Sequence, residues 1–493
     1  MTDPIIILAI MVFFTFTTPI LGYMFRRFEK YLGIWATLDF LITLIYIIST
    51  LNLSDINNPR IYRLFQSPIA SSLRFDGLSL FFIVVFLIVS IVSAIHSIGY
   101  MEKDIHLTAY YTLMQLMTLG LVGLALADDI FTFFIFWEGM AISSYVLVAF
   151  RYHLDEPVEA GIKYIIMSGV GSIVILYGIS FIYGVTGGLS IEAIYASIKP
   201  LISKDLYIPI IIASLFLVGF GIKAAYFPFW TWLPDAHPAA PSPISALLSG
   251  IVIKAGILGI IRFALPIIIY RGGFALPLYI IAIITMTLAN LLALMQSDIK
   301  RLLAYSSIVN IGFILIGITA AGYGAVKYGI ASALTHVFSH ALGKGLAFLA
   351  AGGIIYAMET REIAKMEGFG RRHPVTGFAL ALALLSLAGM PPLPGFWSKW
   401  FLIFSALDAG LTYLAIIGVF NSVLAVIYYL WLIQRFFFAE PTEYVIKSKE
   451  VSSYIKVALI LLSAFMILIG VYPSLMYDLA NLGASAILNS LPK

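Results

Sequence analysis

The sequence predicts an all-α polytopic membrane protein of about 14 transmembrane helices, with two inverted five-helix repeats that each contain a proline-broken helix. Three observations predict it. The 493 residues are 61% hydrophobic and only 11% charged, with a mean hydropathy of +1.01, whereas a soluble domain carries about a quarter charged residues. Apolar segments of the ~20 residues that cross a bilayer recur along the whole chain. Two of them, five segments apart, are interrupted by proline clusters. A transmembrane β-barrel would instead show short alternating segments, and these are absent. The same composition excludes a cytosolic enzyme, a nucleic-acid binder and a disordered scaffold. With 0 cysteines, the chain has no thiolate for an iron–sulfur cluster or a zinc site, no disulfide and no thiol nucleophile. No cofactor is expected on it, and any redox chemistry is expected in other subunits.

In order, the spans are expected at 4–24, 33–53, 77–99, 108–126, 129–150, 162–185, 207–227, 242–268, 276–295, 301–321, 325–357, 375–404, 411–436 and 454–480. They group as residues 1–106 (helices 1–3), 107–268 (first repeat, helices 4–8), 276–436 (second repeat, helices 9–13) and 437–493 (a loop and helix 14). No basic region precedes the apolar run from Ile5 to Tyr23, so the first segment reads as a retained span rather than a cleaved signal. An even number of spans puts both termini on one side. Counting lysine and arginine, 16 fall in the loops of one side and 9, among them Arg262 and Lys493, on the side of the termini. Positive charge is retained inside, so both termini are expected outside a cell membrane.

The seventh span breaks at Pro228 and Pro234 and the twelfth at Pro391, Pro392 and Pro394. Proline lacks an N–H and frees the carbonyl four residues earlier, here those of Ala224, Leu387 and Ala388. Such groups need protein or water partners within a membrane, so a broken helix commonly lines a cavity. An odd offset makes the two broken helices run in opposite directions, which points to inverted repeats with ion sites near the breaks. Kinks that merely help packing are the simpler alternative.

The ionisable residues inside the expected spans are Glu138, Lys223, Lys254, Lys344, Lys399, His96, His336 and His340. At roughly 2.5–3.5 kcal/mol for each mid-bilayer charge, four lysines and a glutamate would cost on the order of 12–18 kcal/mol. That rivals a typical folding stability of about 5–15 kcal/mol. These groups must pair, line water or give up their charge, and a lysine that releases its proton readily is a proton carrier. Glu138 sits among aromatics, and its nearest counter-ion is expected to be Lys223; a purely structural ion pair is the alternative. His336, His340 and Lys344 recur every four residues, one helix face stepping about 6 Å at a time, with the hydroxyls of Thr335 and Ser339 beside them. This stripe reads as a proton relay or as packed histidines. A zinc site lacks a third ligand there, so no metal is expected. His237, in Leu-Pro-Asp-Ala-His-Pro, reads as a loop residue that is either an access relay or a turn element. His96 is alone on its helix.

Five ordered motifs carry a resemblance. Phe-Trp-Glu-Gly-Met (136–140), Leu-Pro-Asp-Ala-His (233–237) followed by Ala-Pro-Ser-Pro-Ile-Ser-Ala-Leu-Leu-Ser-Gly, Ser-Asp-Ile-Lys-Arg-Leu-Leu-Ala-Tyr-Ser-Ser (297–307), Thr-His-Val-Phe-Ser-His-Ala-Leu-Gly-Lys (335–344) and Met-Pro-Pro-Leu-Pro-Gly-Phe (390–396) resemble the antiporter-like membrane subunits of respiratory complex I. The same family includes subunits of multisubunit cation/proton antiporters, membrane-bound hydrogenases and related archaeal complexes. The resemblance covers about residues 70–430. It implies that Glu138 controls Lys223, that Lys254 connects to the His336 and His340 region, and that Lys399 is the terminal ionisable residue; Lys344 is added from the stripe. It implies a subunit that translocates protons or sodium within a multisubunit membrane complex. The proline-rich loop after Asp235 is most similar to membrane-bound hydrogenase-type subunits, with complex I and the multisubunit antiporter as alternatives. The family's most distal complex I subunit has a long lateral helix after its last span, so that role is not expected. A stand-alone secondary transporter, a membrane enzyme using His336 or His340 as a base, and a structural spacer remain as other readings.

Overall fold

A computed structural model describes residues 2–52, 56, 59–63, 71–204, 207–271 and 275–491. Lys493, used above for the charge count, lies outside the described residues. Twelve helices in the described residues are long and apolar enough to cross a membrane, and two shorter apolar helices, Ile208–Ala224 and Pro374–Ala388, are the first halves of the proline-broken segments. The fourteen expected spans are therefore all helical.

The spans are α1 (Pro4–Met24), α2 (Leu32–Thr50), α3 (Gly77–Tyr100), α4 (Leu107–Leu126), α5 (Ile130–Val148) and α6 (Asp155–Thr186). Next, α7 runs Ile208–Ala224 and, past its break, Leu233–Ala239. There follow α8 (Ser242–Tyr270), α9 (Leu276–Leu294), α10 (Ile299–Gly322) and α11 (Val326–Met358). The second broken helix, α12, runs Pro374–Ala388 and Pro394–Asp408; α13 (Thr412–Phe437) and α14 (Ser453–Val471) complete the set. Aspartate caps begin several spans. Asp76, Asp129 and Asp298 each accept a backbone N–H of the first turn, at 2.8, 2.7 and 2.7 Å, which satisfies donors that a helix start leaves open. A short hairpin, β1 (Ile61–Arg63) with β2 (Ser72–Arg74), lies between α2 and α3.

Four expectations are corrected. The last span does not reach residue 480: α14 ends at Val471 before Pro473, whose missing N–H cannot continue the ladder, and a separate helix α15 (Pro473–Ser490) follows. His237 is not on a loop but in the second segment of α7. Arg262 is not a loop residue but a buried one within α8, where its guanidinium meets Asp76 at 2.8 Å. Burial, the largest single influence, would raise the Asp76 carboxyl, but the charge and hydrogen bonds of Arg262, the charge of Arg74 and the Ser79 N–H together hold the group below its ordinary range. Lys300 likewise belongs to α10 and is buried.

The core is organised about α8, α10 and α11, which are almost wholly buried. α11 packs on α3, α8, α10, α12, α14 and α15. α8 contains two π-helical stretches, Leu248–Val252 and Ile260–Ala264, a local widening often found at functional sites. The buried helices hold most of the ionisable residues named above, while α1, α2, α6 and α13 keep broad apolar faces outward.

Candidate functional site

Each ionisable side chain is placed by a different element. Glu138 projects from α5, and its Oε1 is buried without a hydrogen-bond partner among the described residues. Lys223 ends the first segment of α7. Its Nζ donates to Tyr164 Oη at 3.0 Å and Ser168 Oγ at 3.1 Å, both on α6, and lies 4.7 Å from the Tyr164 ring centroid and 5.7 Å from that of Trp137. No ion pair within 4 Å joins Glu138 to Lys223 among the described residues, which sets aside the direct structural pair. Trp232, beyond the α7 break, stacks on Tyr164 at 4.1 Å and donates to Ile222 O at 2.8 Å, so the break itself holds the lysine's partner in place.

Lys254 occupies the helical stretch between the two π segments of α8. Its Nζ donates to Ser249 O within the first of them, and Ser249 Oγ meets Ser307 Oγ of α10 at 2.7 Å. On α11, Lys344 Nζ donates to Leu303 O at 2.8 Å and to Ser306 Oγ. The rings of His336 and His340 are parallel, 6.2 Å apart, as the four-residue spacing requires. His336 pairs through Nδ1 with Ser398 Oγ at 2.9 Å and through Nε2 with Asn310 Oδ1 at 3.2 Å. Because Asn310 Nδ2 donates to Ser306 O at 2.7 Å, Oδ1 faces the ring as an acceptor and Nε2 carries the proton. His340 is buried with neither ring nitrogen hydrogen-bonded among the described residues.

Lys399 follows the α12 break but its Nζ reaches back across it, to Leu387 O at 2.8 Å, Ala388 O at 3.1 Å and Ser422 Oγ of α13 at 3.0 Å. Two of the three carbonyls expected to be freed by proline thus receive the lysine. Gly389, at φ +91, turns the chain there, and a Cβ on it would press on Lys399 Cδ at 3.2 Å. The end of α14 is fastened to the same break by Trp397 Nε1 donating to Gly470 O at 2.9 Å.

His237 is buried, stacked 4.4 Å from Phe348, with both ring nitrogens unpartnered among the described residues. A cavity of about 390 Å³ opens near it at the end of the bundle away from the N-terminus, lined by Ala240, Lys300, Arg151, Glu156 and Arg361 among others. Lys300 Nζ donates to Ala240 O at 2.6 Å. His96 bonds through Nε2 to Leu349 O at 2.9 Å. Thr335, expected beside the stripe, instead back-bonds Ala331 O at 2.7 Å.

The structure therefore brings Lys254, Lys344, His340, His336 and Lys399 together around α10, with Glu138 and Lys223 at a separate centre across α7 and α8. Sequence reasoning missed the neutral partners Tyr164, Ser168, Ser306, Ser307, Asn310, Ser398 and Ser422. It also missed Lys300 as a buried group and Asp39 on α2, although Asp39 is the one acidic residue within an otherwise apolar span.

Comparison with known proteins places the chain in a family. Residues 127–425 match the family described as "NADH:quinone oxidoreductase/Mrp antiporter, TM", and residues 65–111 match "NADH-Ubiquinone oxidoreductase (complex I), chain 5 N-terminus". The chain is 30% identical over 465 residues to F(420)H(2) dehydrogenase subunit N of Methanosarcina mazei, covering 92% of each. It is 32% identical over 405 residues to NADH-quinone oxidoreductase subunit N of Moorella thermoacetica, covering 81% of this chain and 83% of that one. Among solved structures, a chain of an archaeal respiratory complex, the membrane-bound sulfane sulfur reductase, superposes with a TM-score of 0.88 at 27% identity, over 99% of this chain and 98% of that one. A chain of the Mrp complex from Dietzia sp. gives 0.87 at 22% identity over 100% of both, a likeness of fold. The chain belongs to the NADH:quinone oxidoreductase/Mrp antiporter transmembrane family, the antiporter-like membrane subunits of complex I-like, Mrp and archaeal respiratory complexes.

Proposed function

We propose that this subunit moves protons across the membrane along Glu138, Lys223, Lys254, the group of Lys344, His340 and His336, and finally Lys399. The observation that carries this reading is the kind of partner the two lysines at the helix breaks have. A charged lysine offers three donors; a neutral one offers two donors and one lone pair. Tyr164 and Ser168 are hydroxyls that accept from the charged form of Lys223 and can turn to donate to the neutral form. At Lys399, two carbonyls take two donors and Ser422 serves the third position in either state. Neither lysine strands one of these partners when its proton leaves, so deprotonation adds no penalty for an unmade buried bond.

In sequence, a charge change beside Glu138 alters its hold on Lys223. The Lys223 proton passes to Lys254 through water between α7 and α8, then through His340 and His336 to Lys399, and repulsion between like charges expels it. His237 and Lys300 would serve as the access relay from the charged cavity. Residues 107–268 and 276–436 act as the two inverted repeats, each supplying one broken helix. The basic-rich end faces inward and both termini face outward. The ion is read as a proton because the row offers amines and imidazoles rather than oxygen cages. The two relatives named above are dehydrogenase subunits N, which favours a complex I-like dehydrogenase host over the hydrogenase-type host suggested by the loop after Asp235.

The test is proton pumping by the assembled, reconstituted host complex. Glu138→Gln and Lys223→Ala are expected to lower it at least about tenfold, on the order of 1.4 kcal/mol of lost coupling, with assembly intact. Near wild-type pumping in both variants would sink the proposal.

A further inference from the structure

His96 of α3 takes no part in the route above, yet it is 0% exposed inside the bundle. Its Nε2 meets Leu349 O of α11 at 2.9 Å. A carbonyl only accepts, so Nε2 carries the ring proton and Nδ1 presents a lone pair. That Nδ1 is buried with no hydrogen-bond partner among the described residues, and so is Ser93 Oγ, one turn earlier on α3. An unmade buried bond costs stability, which a leucine or phenylalanine in place of His96 would avoid.

Val89, Ser93, His96 and Tyr100 follow one another at three- and four-residue steps and so share one face of α3. That face begins at the charged cavity, which Tyr100 lines. Ser242 Oγ, at the start of α8, donates to Tyr100 Oη at 3.2 Å, and the Tyr100 and His96 rings lie 5.6 Å apart. His96 and Ser242 meet across Gly352 of α11, where a Cβ would stand 3.1 Å from His96 Cε1 and 3.3 Å from Ser242 Oγ. The far end of the face reaches the surroundings of Lys254 and Lys344. Val89 Cγ1 is 3.1 Å from where a Cβ on Gly250 would stand, and 3.4 Å from the same position on Gly345. Gly345 follows Lys344, and Gly250 follows Ser249, whose carbonyl receives Lys254 Nζ.

We infer that His96 is the relay residue of a second proton access arm, in which Tyr100 and Ser242 pass protons from the charged cavity to the His96 ring and the α3 face leads them on toward Lys344 and Lys254. The inference rests on the proton route proposed above and adds to it an arm separate from His237. A relay needs a group that takes up a proton near neutral pH, set among hydroxyls that both donate and accept. His96 Nδ1 is that group, and Tyr100, Ser242 and Ser93 supply the hydroxyls. The imidazolium formed at Nδ1 keeps its Nε2–H bond to Leu349 O, so the ring returns to the same tautomer when Nδ1 gives the proton up. The two arms flank adjacent residues of α11, His237 stacking on Phe348 and His96 bonding Leu349.

Proton pumping by the assembled, reconstituted host complex tests this through combined variants. With two arms side by side, His96→Gln and His237→Gln are each expected to lower pumping less than about twofold and their combination at least about tenfold, a non-additive loss. Glutamine keeps a donor for Leu349 O but has no nitrogen that takes up a proton near neutral pH, so a purely structural histidine predicts that His96→Gln changes nothing in either background. Tyr100→Phe keeps the ring against His96 and removes Oη. It is expected to reproduce the large loss when combined with His237→Gln, and to add nothing to His96→Gln. Pumping by the His96→Gln, His237→Gln combination equal to that of His237→Gln alone overturns the inference. A loss of about tenfold in His96→Gln alone overturns it too, since the arm would then be the sole path. Should the combination not assemble, Tyr100→Phe with His237→Gln decides by the same criterion. Lys223→Ala separates the two levels: wild-type pumping there removes the proton route itself, whereas its loss beside an unaffected double variant removes only the second arm.

Discussion

Lys223 and Lys399 sit on opposite sides of their helix breaks in sequence, yet both ammonium groups end at the C-terminal end of a first helical segment. Lys223 is in the last turn of Ile208–Ala224, and Lys399 reaches back to the last carbonyls of Pro374–Ala388. A helix C-terminus carries partial negative charge and favours a cation. The long aliphatic stem lets a lysine twelve residues beyond Leu387 act where Lys223 acts directly. His336 is more constrained, because Asn310 fixes its tautomer. Asn310→Ala leaves a buried Nε2–H without an acceptor, so thermal unfolding of the purified protein should show a loss of about 1–3 kcal/mol, and proton transport should fall with it. The charged members of this site were legible in the sequence because a charge in an apolar span is rare and expensive. Ser306, Ser307, Asn310, Ser398 and Ser422 were not. A serine in a membrane helix commonly bonds its own backbone, as Thr335 does, and only the packing of α10 against α8, α11 and α12 distinguishes those that bond across. Asp39 carried the same signal as Glu138 but pairs with no charged side chain among the described residues.

At the scale of elements, the two breaks were legible from proline spacing alone, whereas the break between α14 and α15 was not. Pro473 stands alone near the end of an apolar run, where a cluster such as Pro391, Pro392 and Pro394 gives a stronger signal. The structure adds what closes the α12 break. The second segment starts so near the first that a Cβ on Gly395 would collide with the Ser386 backbone oxygen, and backbone cannot move aside as a side chain can. Gly395→Ala is therefore expected to push the segments apart, cost about 1–3 kcal/mol by overpacking, and draw Leu387 O and Ala388 O away from Lys399. Pumping by the assembled complex should fall, while Gly169→Ala on α6, where a Cβ would meet nothing within 4 Å, should leave it unchanged.

For the whole molecule, number and order of spans followed from hydropathy, because a bilayer dictates both helix length and polarity. The assembly partners did not, since a lipid-facing face and a subunit-facing face are equally apolar. Exposed residues such as Ile416, Phe420 and Ile427 on α13 and Ile166, Ile173 and Tyr177 on α6 suit either neighbour. The half-open surroundings of Glu138 near the bundle surface suit a charge signal arriving from a partner. Purified alone and placed in liposomes, the chain is expected to exchange protons or sodium far more slowly than the assembled complex pumps. Exchange at the rate of the complex would identify a self-contained transporter instead.

The fastening of Lys399 to the α12 break also makes a proton a piece of structural hardware. Its Nζ joins Leu387 and Ala388 of one segment to Ser422 of α13, so the number of protons it carries and the shape of the break are two readings of one equilibrium. Coupling of this kind is reciprocal. If Lys399 carries the proton as proposed, a displacement of Pro394–Asp408 transmitted from α13, or from α14 through Trp397, would change its proton occupancy, and by the same coupling a proton leaving it would bias the position of that segment. On the route proposed above, the break would be a converter between movement and charge, driven by a redox centre that lies elsewhere.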